Sequence, residues 1–264
     1  MSSYLKTQGI VLKEAYTGEA DKVITILSKD HGKMSVFAKG ARRPKSRLVA
    51  CTQFLCYSEF LLFKGKDMYT ISSCDVIETF SKASNDIIKL TYASHIIDIV
   101  YDTVQEGQYA AKELRLLLNT LYFLFNSDKS PDLITCIFEI RYLCLLGYAP
   151  YVNSCINCNE GNIKNIYFSF KKCGFLCNKY ECLLQDSSAI KLLPGTVKAL
   201  YHIVHSETKN LFNFNVSKDV LEQLKSISNR YLKERFDKNY TSLDYLKKLK
   251  TTDLNGTDSK NPDN

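Results

Sequence analysis

Apolar and polar positions change their period along the chain. Up to about residue 80 they form short β-rich runs: Gly9-Ile10-Val11-Leu12-Lys13, Val23-Ile24-Thr25-Ile26-Leu27, Met34-Ser35-Val36-Phe37-Ala38, Phe54 through Phe63, and Met68-Tyr69-Thr70-Ile71-Ser72. Asp30-His31-Gly32-Lys33 is turn chemistry and predicts a hairpin between the second and third runs. Gly65-Lys66-Asp67 predicts the turn between the last two. Five short strands in about 75 residues fit a small barrel, because closing the sheet removes most exposed edges.

Beyond residue 85 the spacing becomes helical. Ile87, Ile88, Thr91, Ala93, Ile96, Ile97 and Val100 predict one long helix with a broad apolar face. Leu114, Leu116, Leu117, Leu118, Leu121, Phe123, Leu124 and Phe125 are apolar nearly all round and predict a central, buried helix. Ser130-Pro131 reads as N-cap plus N1 proline of the next helix, and Gly147 sits where a glycine should follow its end. Residues 151–182 read as cysteine-rich and irregular. Leu193-Pro194-Gly195 then opens a helix carrying Val197, Leu200, Tyr201 and Val204. A final helix places Val220, Leu221, Leu224, Ile227, Ser228, Tyr231 and Leu232 on one face. The expected organisation is a barrel over 1–80, a helical domain over 81–150 and 185–250, a cysteine-rich insertion over 151–184, and a disordered polar tail over 251–264.

The 264 residues are 45% apolar, enough for a sizeable core, and the net charge of +7 suits a nucleic-acid or acidic-protein partner. No run approaches the roughly 20 apolar residues of a spanning helix, and Met1 to Gly9 has no apolar signal core, so a cytoplasmic location is expected. In that compartment ten cysteines predict reduced thiols or metal ligands rather than disulfides. Cys51, Cys56, Cys74, Cys136 and Cys144 fall in strand or helix runs and are mostly expected as small buried hydrophobes.

The other cysteines have ligand spacing. Cys155-x2-Cys158 lets two thiolates turn toward one ion, and a structural zinc wants four, arranged tetrahedrally. Cys177 pairs with either Cys173 or Cys182; the favoured set is Cys155, Cys158, Cys177 and Cys182, with Cys173 in reserve. Four thiolates leave no open position for a catalytic water, so the metal would hold a loop-rich segment together. A second cluster is cationic. Lys39, Arg42, Arg43, Lys45 and Arg47 lie in one stretch with Gly40 and Pro44 and no acid, which predicts a flexible loop able to follow a phosphate backbone. Phe37, Phe54, Tyr57 and Tyr69 could stack bases, although most are better explained as barrel core. There is no Gly-x4-Gly-Lys-Ser/Thr and no Gly-x-Gly-x-x-Gly after a strand. His202 and His205 share a helix face without a carboxylate motif and read as surface or half-buried residues. No catalytic constellation is identified.

Taken in order, Gly9-Ile10-Val11-Leu12-Lys13, Gly18-Glu19-Ala20-Asp21-Lys22-Val23, Gly32-Lys33 and Lys39-Gly40-Ala41-Arg42-Arg43-x-Lys45-Ser46-Arg47 resemble the N-terminal signature of the RecO family. Leu90-Thr91-Tyr92-Ala93-Ser94, and Phe138-Glu139-x-Arg141 followed by Gly147-Tyr148-x-Pro150, resemble its helical region. The cysteines from Cys155 onward resemble its zinc segment, and Leu193-Pro194-Gly195-Thr196 its re-entry into helix. The resemblance covers about residues 1 to 250. Tyr180 departs from it, standing where a second Cys-x2-Cys would have its last cysteine.

The resemblance implies an α+β multidomain chain: a five-stranded OB-type β-barrel followed by an all-α domain with a zinc-binding insertion. It implies a non-enzymatic, nucleoid-associated mediator of DNA repair and homologous recombination. Such a protein binds single- and double-stranded DNA, anneals complementary strands, and helps load RecA onto strands coated by single-stranded DNA-binding protein. RecR is the implied partner, sometimes with RecF. For the acidic tail of the single-strand binding protein, Arg230, Lys233 and Arg235 are the candidates, since a basic rim beside an apolar groove suits an acidic-apolar peptide. Two other classes are weighed against this: an RNA-binding OB and zinc module, and a metal-dependent nuclease.

Overall fold

Alternating burial along the first five apolar runs shows how the barrel is built. In the computed structural model, which describes residues 4–80, 86–238 and 240–243, the strands are β1 (Tyr4–Thr17), β2 (Asp21–Ser28), β3 (Gly32–Ala38), β4 (Cys56–Lys64) and β5 (Tyr69–Thr79). They close in the order β1-β2-β3-β5-β4. The β3–β5 pair is parallel and the other four are antiparallel. Val11, Ile24, Ile26, Met34, Val36, Phe60, Leu62 and Ile71 fill the interior. The fold class is therefore the expected one, with a closed five-stranded barrel first and a helical domain with a four-cysteine cluster after it.

Strand β1 is longer than its apolar run. Tyr4 to Ile10 pair with β4, and Gly9 to Thr17 pair with β2. Exposed residues such as Lys6, Gln8 and Tyr16 belong to the strand but not to its hydrophobic pattern, so the apolar run understates its length.

Two compact units divide the described residues, those up to 125 with 240–243, and those from 126 to 238. The expected tail over 251–264 lies outside the described residues. In the first unit, short helix α1 (Leu48–Cys51) leads into β4, and helices α2 (Ile87–Thr103) and α3 (Ala111–Asn126) follow the barrel. Asp86 caps α2 by accepting from the N–H groups of Ile88 and Lys89. Helix α3 is not apolar all round. Lys112, Arg115, Asn119 and Tyr122 recur at helical spacing along one side, and Tyr122 is 57% exposed. Leu114, Leu117, Leu121 and Leu124 are buried on the other side.

A second departure concerns the thiols. Cys51 of α1 and Cys74 of β5 are joined in a disulfide. Barrel closure packs α1 against β5 and brings their Cα atoms to 6.5 Å, within bridging range. Cys56 and Cys136 are free and buried, as expected, while Cys144 is half-buried.

In the second unit α4 (Pro131–Leu145) is the central helix, with Leu133 through Ile140 all buried. Pro131 occupies its first turn as predicted. Gly147, at φ +89°, ends it: the Gly147 N–H donates to Cys144 and the Tyr148 N–H to Leu143, the paired bonds of a glycine-terminated helix. Helix α4 packs on α6 (Pro194–His205) and α7 (Lys218–Phe236). Arg141 on α4 donates to the carbonyls of Ile203, Val204 and Ser206, filling acceptors at the end of α6. The cysteine-rich insertion, expected to be irregular, contains β6 (Ile166–Ser169), β7 (Gly174–Cys177) and β8 (Ile190–Lys191) in a sheet ordered β7-β6-β8, with a single-turn helix α5 (Tyr180–Leu183).

Gly32 opens β3 at φ +60° against the segment joining α2 to α3. That segment is clamped there by the Lys33 N–H to Gln105, the Gly107 N–H to His31 and the Ala110 N–H to Lys29. A Cβ at Gly32 would lie 2.4 Å from the Gln105 oxygen and 2.8 Å from that of Gln108. Gly32→Ala should therefore destabilise the first unit by about 2 kcal/mol or more, read as a lowered denaturation midpoint in urea.

Candidate nucleic-acid interface and metal centre

The basic stretch leaves β3 and returns through α1. Lys39, Arg42, Arg43, Lys45 and Arg47 are all exposed, and among the described residues none of them forms an ion pair. The loop's backbone is nonetheless held. The Gly40 N–H donates to Asp21 Oδ1 at 2.6 Å and the Arg42 N–H to the Ala20 carbonyl at 2.9 Å, tying the loop to the β1–β2 turn. Gly40 takes φ +67° to make this turn. Five cations thus project from an anchored backbone, not a free one. Beneath them, buried Lys22 pairs with Glu14 at 2.5 Å, and Glu14 also accepts from the Phe54 N–H.

Phe37, Phe54, Tyr57 and Tyr69 are half-buried rather than core. Tyr69 packs against the barrel core, whereas Phe37 alternates with buried Val36 and Ala38 and so lies on the outer face. Sequence reasoning passed over Tyr16, which is 69% exposed at the end of β1 with the Arg42 guanidinium 4.6 Å from its ring centre. Its apolar neighbours are too few to mark it; only the register of β1 against β2 brings it beside the loop.

In the second unit, Cys155, Cys158, Cys177 and Cys182 converge, with their sulfur atoms all within 4.8 Å of one another. A tetrahedron of metal–sulfur bonds near 2.3 Å has edges of about 3.8 Å, so the cluster is of the size that could hold one metal ion. Cys158 and Cys177 are 3.6 Å apart, and the Cys177 N–H and the Asn157 amide donate to the sulfurs of Cys155 and Cys182. Burial raises the Cys155 thiol, but the backbone N–H groups of Cys177, Cys158 and Asn157 outweigh it and lower the group to about 6. Burial pushes the Cys182 thiol up to about 12 and raises Cys177. A dication held among them would favour their thiolate forms.

Cys173 stands outside this group. It sits at φ +57° in the β6–β7 turn, with its sulfur 2.6 Å from a guanidinium nitrogen of Arg235. Tyr180 is 77% exposed at the start of α5, and the helical turn that it opens carries Cys182 inward. Arg230 and Arg235 are half-buried against the insertion. Arg230 lies over the Phe170 ring and donates to Ser188, and Arg235 donates to the Phe170 carbonyl. Lys233 is exposed.

Asp186 organises the same insertion. It accepts from the Ser169 and Ser188 hydroxyls and from the N–H groups of Lys171 and Ser188. Burial raises its carboxyl, but the hydroxyls of Ser188 and Ser169 and the two N–H groups outweigh that and bring it down to about 2.

Family comparison matches residues 1–80 to Recombination protein O N terminal and residues 84–244 to Recombination protein O C terminal. The chain is 58% identical to the DNA repair protein RecO of Acetivibrio thermocellus, over 94% of this chain and 98% of that one. The corresponding protein of Caldicellulosiruptor bescii is 35% identical over 92% and 98%, and that of Halalkalibacterium halodurans 28% over 93% and 95%. No helix among the described residues is long and apolar enough to cross a membrane.

Because the Asp186 carboxyl is depressed below its ordinary value, its contribution is complete above about pH 4 and is lost as pH falls toward 2. Asp186→Ala should cost about 1–3 kcal/mol at neutral pH by stranding the Ser169 hydroxyl. Wild-type stability should also fall more steeply with acid than that of Asp186→Asn, as followed by thermal melts from pH 5 to pH 2.

Proposed function

The chain belongs to the RecO family of DNA repair proteins, and from that membership we propose how it acts as a recombination mediator. It binds single- and double-stranded DNA through Lys39, Arg42, Arg43, Lys45 and Arg47, anneals complementary strands, and helps load RecA onto strands coated by single-stranded DNA-binding protein. RecR is its partner, with RecF in some settings, and it acts in the cytoplasm at the nucleoid. The observation that carries this reading is the set of five exposed cations on a loop anchored to the barrel. Contacts of this kind grip phosphates without reading bases.

Annealing makes and breaks no covalent bond. Its obstacle is repulsion between two polyanions, which a cationic surface lowers while concentrating both strands. No nucleophile or nucleotide-binding loop is needed for that, so the protein works as a non-enzymatic mediator.

Within the same reading, Cys155, Cys158, Cys177 and Cys182 hold a structural zinc. Four sulfur donors within 4.8 Å of one another suit that ion, which would fix the short strands of an insertion with little core of its own. The acidic tail of the single-strand binding protein is taken by the basic residues of α7. Arg230 and Arg235 also brace the insertion, which leaves Lys233 as the member most open to a partner.

Arg42→Ala/Arg43→Ala/Lys45→Ala should weaken binding to a single-stranded oligonucleotide and flatten the log affinity against log salt plot by about 2, the loss of three phosphate contacts. The same variant should slow fluorescence-monitored annealing of strands precoated with single-stranded DNA-binding protein, with RecR present. An isotherm and slope matching wild type would reject the loop as the binding surface. For the metal, elemental analysis should find one zinc per chain, lost in Cys158→Ser and kept in Cys173→Ser. Zinc-free wild-type protein purified under reducing conditions would overturn the assignment.

A further inference from the structure

Among the described residues, Tyr16 is the exposed aromatic that carries cation contacts. It stands near the end of β1, paired in register with Lys22. Lys22 Nζ lies 5.7 Å from the ring centre, and the Arg42 guanidinium 4.6 Å. The loop bearing Arg42 is bonded to the turn that follows Tyr16, through Ala20 and Asp21. Ring and loop backbone are therefore fixed to the same turn. The ring contributes nothing to the barrel interior, and 69% of its surface is open.

A cation beside an open aromatic ring is the arrangement that single-stranded nucleic acids exploit. The phosphate runs along the cations, and the unpaired base lies flat on the ring. A duplex cannot use the ring in this way, because its bases are already stacked on one another.

We infer that Tyr16 is a base-stacking residue, which takes one unpaired nucleobase of a strand whose backbone follows the loop from Lys39 to Arg47. This rests on the reading of that loop as the DNA-binding surface and adds the element that separates single strands from duplex. Stacking is sequence-tolerant, since every base has a π-face. A base held by its face keeps its pairing edge free, as annealing requires.

The chain has no tryptophan, so Tyr16→Trp places a single indole at the proposed site. Its emission should be quenched by a single-stranded oligo-deoxythymidine. An abasic deoxyribose-phosphate oligomer of equal length, or a blunt duplex, should leave it unchanged. Tyr16→Ala should bind the single strand about tenfold or more weakly. Its duplex affinity and salt slope should equal those of wild type, because no phosphate contact is lost. Tyr16→Phe should bind as wild type does.

Equal quenching by the abasic oligomer would overturn the inference, as would single-strand affinity of Tyr16→Ala within twofold of wild type. An equal loss on duplex would also overturn it, marking Tyr16 as a support for Arg42 instead. The two readings fail separately. If wild type binds DNA and the loop variant loses that binding while the Tyr16 experiments are silent, stacking alone falls. If wild type binds no DNA, the loop assignment falls and takes stacking with it.

Discussion

Strand β1 pairs with β4 through its first half and with β2 through its second, and both ladders overlap at Gly9 and Ile10. A Cβ at Gly9 would come within 2.9 Å of the Leu27 carbonyl, so the crossing needs a residue without a side chain. Just beyond it the register with β2 shifts between Val11 and Lys13. A bulge of this kind bends a strand and lets one chain serve two neighbours in a closed sheet. The end of β1, with Glu14 and Tyr16, is carried by that bend to the β1–β2 turn that anchors the basic loop. Glu14 completes the joint, pairing with Lys22 of β2 and accepting from Phe54 ahead of β4. The loop backbone is thereby tied at Gly40 and Arg42, which would lower the ordering cost of the proposed contact with a phosphate backbone.

The barrel was legible because alternation has a single cause: one face of each strand is wet and the other is not. Val23 to Leu27 and Met34 to Ala38 lie within β2 and β3, and the turn at Gly32 is where its chemistry placed it. Features that depend on pairing partners were not legible. The ends of β1 are held by ladder bonds to polar stretches, and Tyr16 meets Lys22 and Arg42 only through pairing across strands. Helix α3 was misread for a related reason. A count of leucines and phenylalanines hides a polar stripe of four residues, Lys112, Arg115, Asn119 and Tyr122, of which all but the half-buried Asn119 are exposed. The Cys51–Cys74 pair is 23 residues apart in sequence and becomes adjacent only when the barrel closes. Compartment-based reasoning about thiols carries no information on such proximity.

Spacing was a better guide in the insertion. A two-residue spacer puts Cys155 and Cys158 on one side of a tight turn, closed by the Asn159 N–H to the Cys155 carbonyl. The longer gap from Cys177 to Cys182 is bridged by α5, one helical turn that replaces a second tight turn. Either device brings two sulfurs to one point, so the irregular second half of the motif is a change of local backbone that still carries Cys182 into the cluster. Cys173 is displaced from the same point by the β6–β7 hairpin, whose turn it occupies. A spacing rule treats Cys173 and Cys182 alike; strand pairing distinguishes them.

Net charge has the same blind spot. Arg42 and Arg230 are indistinguishable as entries in a charge count, and each lies beside an aromatic ring, Tyr16 at 4.6 Å and Phe170 at 3.8 Å. Their remaining donors are spent differently. Arg230 gives its guanidinium to Ser188 and Glu234, and Arg235 gives its own to Phe170 and Cys173, so these two hold protein to protein. Among the described residues, Lys39, Arg42, Arg43, Lys45 and Arg47 form no ion pair and keep their donors for solvent. A cation already bonded inside the fold would have to surrender those bonds before it met a phosphate, whereas a solvated one releases only water and counterions. This difference in what must be given up favours the barrel loop over Arg230 and Arg235 of α7 as the proposed anion-binding surface.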